Sequence, residues 1–540
     1  MSSSKQKMQG RKYLLFFNFF LFLIFSQKVF SENLEHSSKT NIETESFAST
    51  SAPYPTHQGY KNIIELDYIE PWISEGTLEN LWKKWDPKWK ACYEKIDQEL
   101  PSAQDKAKNL FQKSNLINYY YGLTPSLENL TPGVSARVTK SGMPLPWGLT
   151  EYKSGANAGK IAPNCMLCHG GIDKNGIPDP RVANNNLRLG LLMNDVFATN
   201  TKIEDKKLET YRLLLGGTKN FGPTPGNTNA GTFAHAAFLR RDMKSFEIRD
   251  AKHKMTDLIK LIGGASKLDV APLATAPFGA VSENNTLYVA GAVPKNDETG
   301  PLAISQFLMP SNLDPTEIKT IINTKMKDSY EWINGLKLPP SPKYLSSGAF
   351  DANQFFNKSC LSCHNGVSNE AKKYQVGTDP QLEIQNEQIL AQLKGSLLQG
   401  IGGKGYSARK LSGLAFKKGW MHNGSIPNCE AFMKIGKQGR YWREKDPDPT
   451  ADCQKLREGN YPEKINGQIQ DPVIEWTDTL PKQNKKDGPS REQSSWYDTK
   501  AKGQSNADPY HSQLISDEFD RLKGSGIEEK RKFCEYLKSL

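Results

Sequence analysis

The sequence predicts a mainly α fold with long loops and few short strands. Three observations carry that expectation. Apolar residues recur at helical spacing, as in Leu78, Leu81, Trp85, Trp89 and Cys92. Glycine and proline, 43 and 32 of 540 residues, break the stretches between such segments. A Cys-x-x-Cys-His run also occurs twice, at Cys165-Met-Leu-Cys168-His169 and at Cys360-Leu-Ser-Cys363-His364, so the helical segments fall into two comparable halves.

Each run has the spacing for covalent attachment of a c-type haem. The two thiols add across the porphyrin vinyl groups and the adjacent histidine reaches the iron. With this composition a single chance copy would occur on the order of once in several hundred chains, and two far less often. Zinc binding or a redox-active thiol pair would explain the cysteines. Neither explains why both pairs end in histidine. The fold class therefore becomes two c-type cytochrome domains, at residues 151–337 and 338–540, holding two covalently bound haem c groups through Cys165, Cys168, His169 and Cys360, Cys363, His364.

Compartment and charge agree with this. Lys5, Lys7, Arg11 and Lys12 precede an almost unbroken apolar run over residues 13–25, interrupted by Asn18. Val29-Phe30-Ser31 offers a cleavage end, so residues 1–31 read as a signal peptide directing the protein to the periplasm or outside the cell. The run is short for a transmembrane helix. In bacteria, c-type haems are attached outside the cytoplasm. Residues 1–31 carry five Lys/Arg and no acidic residue, so the formal charge of +11 falls to +6 without them. That modest basicity can steer an acidic electron partner. No nucleic-acid module is present.

Residues 32–150 form an N-terminal extension of helices and loops. Residues 32–60 are rich in Ser, Thr, Glu and Pro and read as a mobile lead-in. Pro87 breaks or restarts the helix that carries the tryptophans, whose spacing fits a core stripe. Ser102 with Asp105 resembles a capping box ahead of a helix with Ala107, Leu110 and Phe111. Residues 121–160 are Gly- and Pro-rich and approach the first attachment site. Beyond it, residues 187–196 are apolar, 207–215 helical, and Val281 and residues 288–290 are candidate strands. Residues 338–344 are an extended Pro-rich linker. Residues 384–398 have an amphipathic pattern closed by Gly400, and 443–512 read as a long, mostly loop insertion. Ser525 to Glu528 is a capping pattern before a closing helix bearing Ile527, Phe533, Cys534 and Leu537. The remaining cysteines are Cys92, Cys429, Cys453 and Cys534. In an exported protein they can oxidise, and Cys429 with Cys453 closes the shortest loop.

The free face of each iron decides its chemistry. Two strong axial ligands give electron transfer, whereas an open face admits peroxide or oxygen. At the second haem His364 is proximal, and His422, in Gly419-Trp-Met-His-Asn-Gly-Ser-Ile-Pro427, is the candidate distal ligand, with Met421 and then Met433 competing. At the first haem His169 is proximal. Met193 and His235 are candidate distal groups, His253 and Met243 weaker ones, and His235 is the candidate acid/base residue above an open iron.

These features resemble the bacterial di-haem cytochrome c peroxidase superfamily, which includes MauG-type enzymes and the haem rubber oxygenases. The resemblance rests on the two Cys-x-x-Cys-His runs, the linker at 338–344, Tyr406-Ser-Ala-Arg-Lys-Leu-Ser-Gly-Leu-Ala-Phe416, Trp420-Met-His-Asn-Gly-Ser425 and the terminal Glu535-Tyr-Leu-Lys-Ser-Leu540. It spans about residues 150–540 and lies closer to the oxygenase-like branch. It implies one catalytic haem at His169 and one relay haem ligated by His364 and His422. It also implies aromatic residues near the pocket, for which Phe307 and Trp332 are candidates, and calcium between domains, although no run of oxygen ligands stands out here.

The function expected is an exported di-haem oxidoreductase of peroxidase or oxygenase type. Its partners are a small oxidant, hydrogen peroxide or O2, and a small redox protein or an apolar organic substrate. The alternative is a non-catalytic electron-transfer cytochrome with both irons six-coordinate.

Overall fold

The computed structural model describes residues 54–65, 78–164, most of 166–188, 270–272, 292–294, 341–345, 348–364, 425–461, 473–479, 496–500 and 507–540, with isolated positions between. Its secondary structure is mainly helical with few short strands, as the sequence predicts.

Helix α1 (Gln58–Ile64) begins within the stretch read as a mobile lead-in. Its Tyr60 is fully buried and packs against Trp147 and Trp332, so burial of one large ring outweighs the polar composition around it. A 3-10 turn over Leu78–Lys84 precedes α2 (Pro87–Glu99). Pro87 starts α2 rather than interrupting it. It sits in the first turn, where no amide donor is needed, and Asp86 accepts from the Lys88 amide. Ser102 accepts from the Asp105 amide in the 3-10 turn that leads into α3 (Lys106–Tyr121). That helix ends at left-handed Gly122, as a glycine C-cap should. A short α4 (Leu127–Leu130) follows.

The strands are small antiparallel pairs. They are β1 (Leu149–Glu151) with β2 (Ile161–Pro163), β3 (Gly171–Ile172) with β4 (Pro178–Asp179), β5 (Val270–Pro272) with β6 (Ala292–Pro294), and β7 (Lys373–Tyr374) with β8 (Tyr406–Ser407). Helix α5 (Met166–His169) lies between the first two pairs. In the second half come α6 (Ala352–Ser359), α7 (Leu361–His364), α8 (Cys429–Phe432), α9 (Pro449–Arg457), α10 (Pro509–Ile515) and α11 (Ile527–Ser539).

The described residues of the region read as a loop insertion carry a helix and several short strands. Strand β9 (Tyr441–Glu444) is the centre of a three-stranded sheet; β10 (Lys464–Ile465) and β11 (Gln468–Ile469) form a separate hairpin, and β12 (Ile474–Thr477) and β13 (Tyr497–Asp498) flank β9. Trp442 is fully buried and stacks on Tyr497 at 5.3 Å, so cross-strand aromatic pairing holds a sheet with little alternation. Helix α9 packs on α2 and α3. Cys453 is bonded to Cys92, Arg457 Nε donates to Gln112 Oε1 at 2.8 Å, and Asn115 Nδ2 donates to the Arg457 carbonyl at 2.9 Å.

The disulfides correct the pairing expected from loop length. Cys92 joins Cys453 and Cys429 joins Cys534. Short loops favour encounter, but the partners are set by which helices pack: α9 on α2, and α8 on α11. The closing helix also departs from expectation at its start. Gly526 in the left-handed conformation is the N-cap, Ser525 has φ +56°, and Ile527 is exposed. A serine cap needs an extended backbone, which the Gly524-Ser525-Gly526 turn does not provide. The expected features at 207–215, 281, 288–290 and 384–398 lie outside the described residues.

Candidate functional site

Helix α5, within the first Cys-x-x-Cys-His run, is positioned by side chains upstream of it. Asn164 Oδ1 accepts from the Met166 amide at 2.8 Å, while its Nδ2 donates to the Trp147 carbonyl at 2.9 Å and to Thr150 Oγ1 at 3.0 Å. One amide side chain thus starts the helix and ties it to the preceding strand. Gly148 lies flat against the run, since a Cβ there would come 2.3 Å from Leu167 Cα. A Cβ on Gly170 would meet Met166 Cβ and Trp147 Cε3 at 2.9 Å. Glycine is required at both places because backbone and ring approach so closely.

The surrounding core is aromatic with a polar thread. Trp147 and Met166 are fully buried beside Tyr60, Ile63, Leu127 and Trp332. Trp147 Nε1 donates to the Tyr60 hydroxyl at 2.6 Å. Burial, and then the neighbouring Glu128 carboxylate, push the Tyr60 phenol far above its ordinary range, so it stays a neutral donor. The buried guanidinium of Arg137 donates to the carbonyls of Ile64, Trp147 and Leu149 at 3.2, 3.2 and 2.6 Å. These contacts tie α1 to the loop under α5. Burial lowers the Arg137 pKa and the charge of Glu128 opposes that shift. Cys168 and His169 are the last two residues of α5, while Cys165 lies outside the described residues. Met193, His235, Met243, His253 and Phe307 also lie outside them. Trp332, a pocket candidate by resemblance, packs edge-on to Tyr54 at 6.0 Å and to Tyr60 at 5.4 Å, within this core.

The second Cys-x-x-Cys-His run begins at the C-cap of α6. Asp351 accepts from the Gln354 amide at 2.9 Å and fixes the helix start. Phe355 and Phe356 are buried, and Phe355 contacts Phe519 and Phe533 at 5.0 and 4.7 Å. The Cys360 amide then donates to the Phe356 carbonyl at 2.8 Å, and the Cys363 and His364 amides both donate to the Cys360 carbonyl, at 3.1 and 2.9 Å. Residues one turn apart share a helix face, so Cys360, Cys363 and His364 come to one side. All three are half-buried. Cys360 and Cys363 are unbridged thiols, whereas Cys92, Cys429, Cys453 and Cys534 are all in disulfides. Burial and the neighbouring Cys363 push the Cys360 thiol up to about 12. This donor set suits thioether attachment, which needs two reduced thiols at this spacing and a histidine on the same side.

The loop around 420–426 reaches the same core. Trp420 and Ile426 pair across its neck, with the Trp420 amide donating to the Ile426 carbonyl at 2.6 Å. Trp420 and Ile426 are buried with Phe355 and Phe356, and Cys360 and Met421 pack against that cluster. Met421 has φ +68°, a conformation costly for a side chain with a Cβ. His422 lies outside the described residues, between this strained methionine and buried Ser425. Helix α8 follows directly and is bonded through Cys429 to Cys534 of α11, whose Tyr536 contacts Phe356 at 5.7 Å.

Sequence reasoning missed Asn164, Gly148 and Arg137. The available signal was Trp147-Gly148 followed by Asn164 directly before the first cysteine, a large ring, a missing Cβ and a capping side chain in one approach. Among the described residues no three His, Cys, Asp or Glu side chains converge into a group that could hold a metal ion. Comparison with protein-family models and with curated protein sequences returns no match.

Proposed function

We propose that this chain is an exported di-haem c-type oxidoreductase that activates peroxide or oxygen at a haem held by Cys165, Cys168 and His169. A second haem, held by Cys360, Cys363 and His364 with His422 as its other axial ligand, relays electrons. The observation that carries the reading is the state of the cysteines: the thiols of Cys360 and Cys363 remain unbridged on one helix face with His364, while the non-motif cysteines are consumed in disulfides. The seating of Trp420, Met421 and Cys360 on one core supports a ligand loop opposite the attachment helix. When bound, the haems supply reversible iron redox chemistry and a site for a small oxidant. The chain's own residues hold and dry the site. Phe355 and Phe356 exclude water beneath the second run, and Asn164, Gly148 and Trp147 fix the first. His235, the candidate that the sequence offers above an open iron, serves as acid/base group, and the reducing partner is a small redox protein or an apolar organic substrate.

The test is purification from a host with c-type maturation machinery, followed by pyridine haemochrome assay, peptide mass analysis and electron paramagnetic resonance. Two covalent haems are expected, one low-spin and one with a high-spin fraction that changes on adding peroxide. His422→Ala should alter the Cys360/Cys363 haem alone. Fewer than two attached haems would remove the reading, and two permanently low-spin irons would turn it into the electron-transfer alternative.

A further inference from the structure

The helices of the N-terminal extension hold a set of aromatic rings that the proposed chemistry leaves without a role. Trp85 is central, with ring centroids 5.6 Å from Tyr93, 6.1 Å from Tyr121 and 6.4 Å from Trp89. Two branches lead outward. Trp89 stacks on Tyr119 at 5.7 Å, and Tyr119 meets Tyr461 at 4.7 Å. Tyr93 stacks on Trp82 at 5.5 Å. Tyr461 and Trp82 are half-buried, so both branches end at the surface.

The inner end is polar and closed to solvent. The Trp85 Nε1–H donates to the Tyr121 hydroxyl at 2.9 Å, and that hydroxyl donates to Asp195 Oδ2 at 2.9 Å. Tyr121 and Asp195 are both at 0% exposure. Packing alone accounts for rings in contact. It does not account for a fully buried carboxylate aligned on a fully buried phenol, since burying an ionisable group is costly and a phenylalanine facing an aliphatic residue would fill similar space.

This polar end lies one layer of chain from the first attachment helix. Asn184 Nδ2 donates to the Leu167 carbonyl of α5 at 3.0 Å. A few residues on, the Arg188 amide donates to the Tyr121 carbonyl at 2.8 Å, and a Cβ on Gly122 would come 1.6 Å from the Asn186 oxygen. The segment after the first Cys-x-x-Cys-His run is therefore pressed between α5 and Tyr121.

Indole and phenol are readily oxidised by one electron, and a phenol that loses an electron becomes a strong acid. It needs a proton acceptor already in place. We propose that Tyr121, with Asp195 as proton acceptor, is the entry point of a one-electron relay that carries oxidising equivalents from the first haem to Tyr461 and Trp82. The inference rests on the haem reading above for its oxidant. A haem held by Cys165, Cys168 and His169 would, once oxidised, accept one electron, and Tyr121 would supply it. The Oη–H bond breaks and the proton bonds to Asp195 Oδ2, leaving a neutral tyrosyl radical beside a neutral acid. Trp85 then supplies an electron to Tyr121, and the proton returns from Asp195. The electron deficit passes from ring to ring until a one-electron reductant in solution fills it at the surface. The N-terminal extension thus discharges oxidising power when the proper substrate is absent.

The experiment uses the full-length holoprotein in two arms. One mixes it with hydrogen peroxide and freezes it rapidly for electron paramagnetic resonance. The other oxidises it by flash photolysis of a ruthenium tris-bipyridine complex with a sacrificial quencher, which bypasses the haems. A tyrosyl signal is expected in both arms, abolished by Tyr121→Phe and formed about tenfold more slowly in Asp195→Asn. Tyr461→Phe, at the half-buried end, should lengthen the lifetime of the inner radical and keeps the test intact if a core variant folds poorly. A Tyr121-dependent signal after the flash alone keeps the relay and overturns the haem chemistry. No tyrosyl signal in either arm, or a signal indifferent to Tyr121→Phe, overturns the relay.

Discussion

Cys429 is bonded to Cys534, with Cα atoms 5.7 Å apart, so the helix that follows the 420–426 loop is fastened to the closing helix of the chain. Both residues are buried in the same core as Phe356, against which Cys360 packs. Removing the bond by Cys429→Ala with Cys534→Ala should lower the unfolding free energy by about 2–4 kcal/mol. Urea unfolding of the oxidised protein and of the double variant checks this, and peptide mapping under non-reducing conditions should recover Cys92 with Cys453 and Cys429 with Cys534.

Gly148 bears on the first Cys-x-x-Cys-His run through contact rather than chemistry. In Gly148→Ala the new methyl would sit 2.6 Å from the Leu167 amide nitrogen, so α5 has to move. Covalent haem on the Cys165/Cys168 peptide should fall severalfold while the Cys360/Cys363 peptide stays fully loaded. Mass analysis of the two peptides from one sample reads the contrast directly.

The two thiols of the second run differ in setting. Cys360 is held neutral by burial and by Cys363, whereas the Ser362 hydroxyl lies 3.9 Å from the Cys363 sulfur. Only a thiolate alkylates quickly. In protein made without the maturation machinery, Cys360 should label slowly with iodoacetamide near pH ~8 and faster as the pH climbs toward its raised value. Timed labelling with peptide mass readout gives the rate.

Asp520 makes stability depend on acid. Burial alone would raise its carboxyl, but the ammonium groups of Lys437 and Lys530 outweigh burial and hold it below the usual carboxylate range. A depressed native value contributes stability that is present above the unfolded value of about 3.9 and is lost as pH falls through the native one. Thermal unfolding midpoints should therefore drop below about pH 4, and Asp520→Asn should drop less steeply over the same interval.

The local parts of this architecture were legible in the sequence. Pro87 marks a helix start because its backbone restriction acts at one residue, and Cys360, Cys363 and His364 share a face because one helical turn puts them there. What escaped was set by distant packing. Cys534 reaches Cys429 through α11 lying on α8, a relation no loop length encodes. Tyr60 is buried because Trp147 and Trp332 close over it, against the polar composition of its neighbours. Trp442 organises a sheet from strands whose sequences lack alternation. Ser525 looked like a cap, but the glycines on either side turn the backbone left-handed there.

The bond from Cys92 to Cys453 also constrains the order of events in folding. Helices α2 and α3 are made early, yet the helix that covers them and the thiol that locks them arrive only after most of the polypeptide. Until then the rings of Trp89 and Tyr119 wait for Tyr461, and Cys92 stays open to the wrong thiol, including those of the Cys-x-x-Cys-His runs. On the export route proposed above, folding therefore depends on a compartment that can reshuffle mispaired sulfurs, and a truncated N-terminal half, lacking Cys453 and Tyr461, should be a chaperone and protease client.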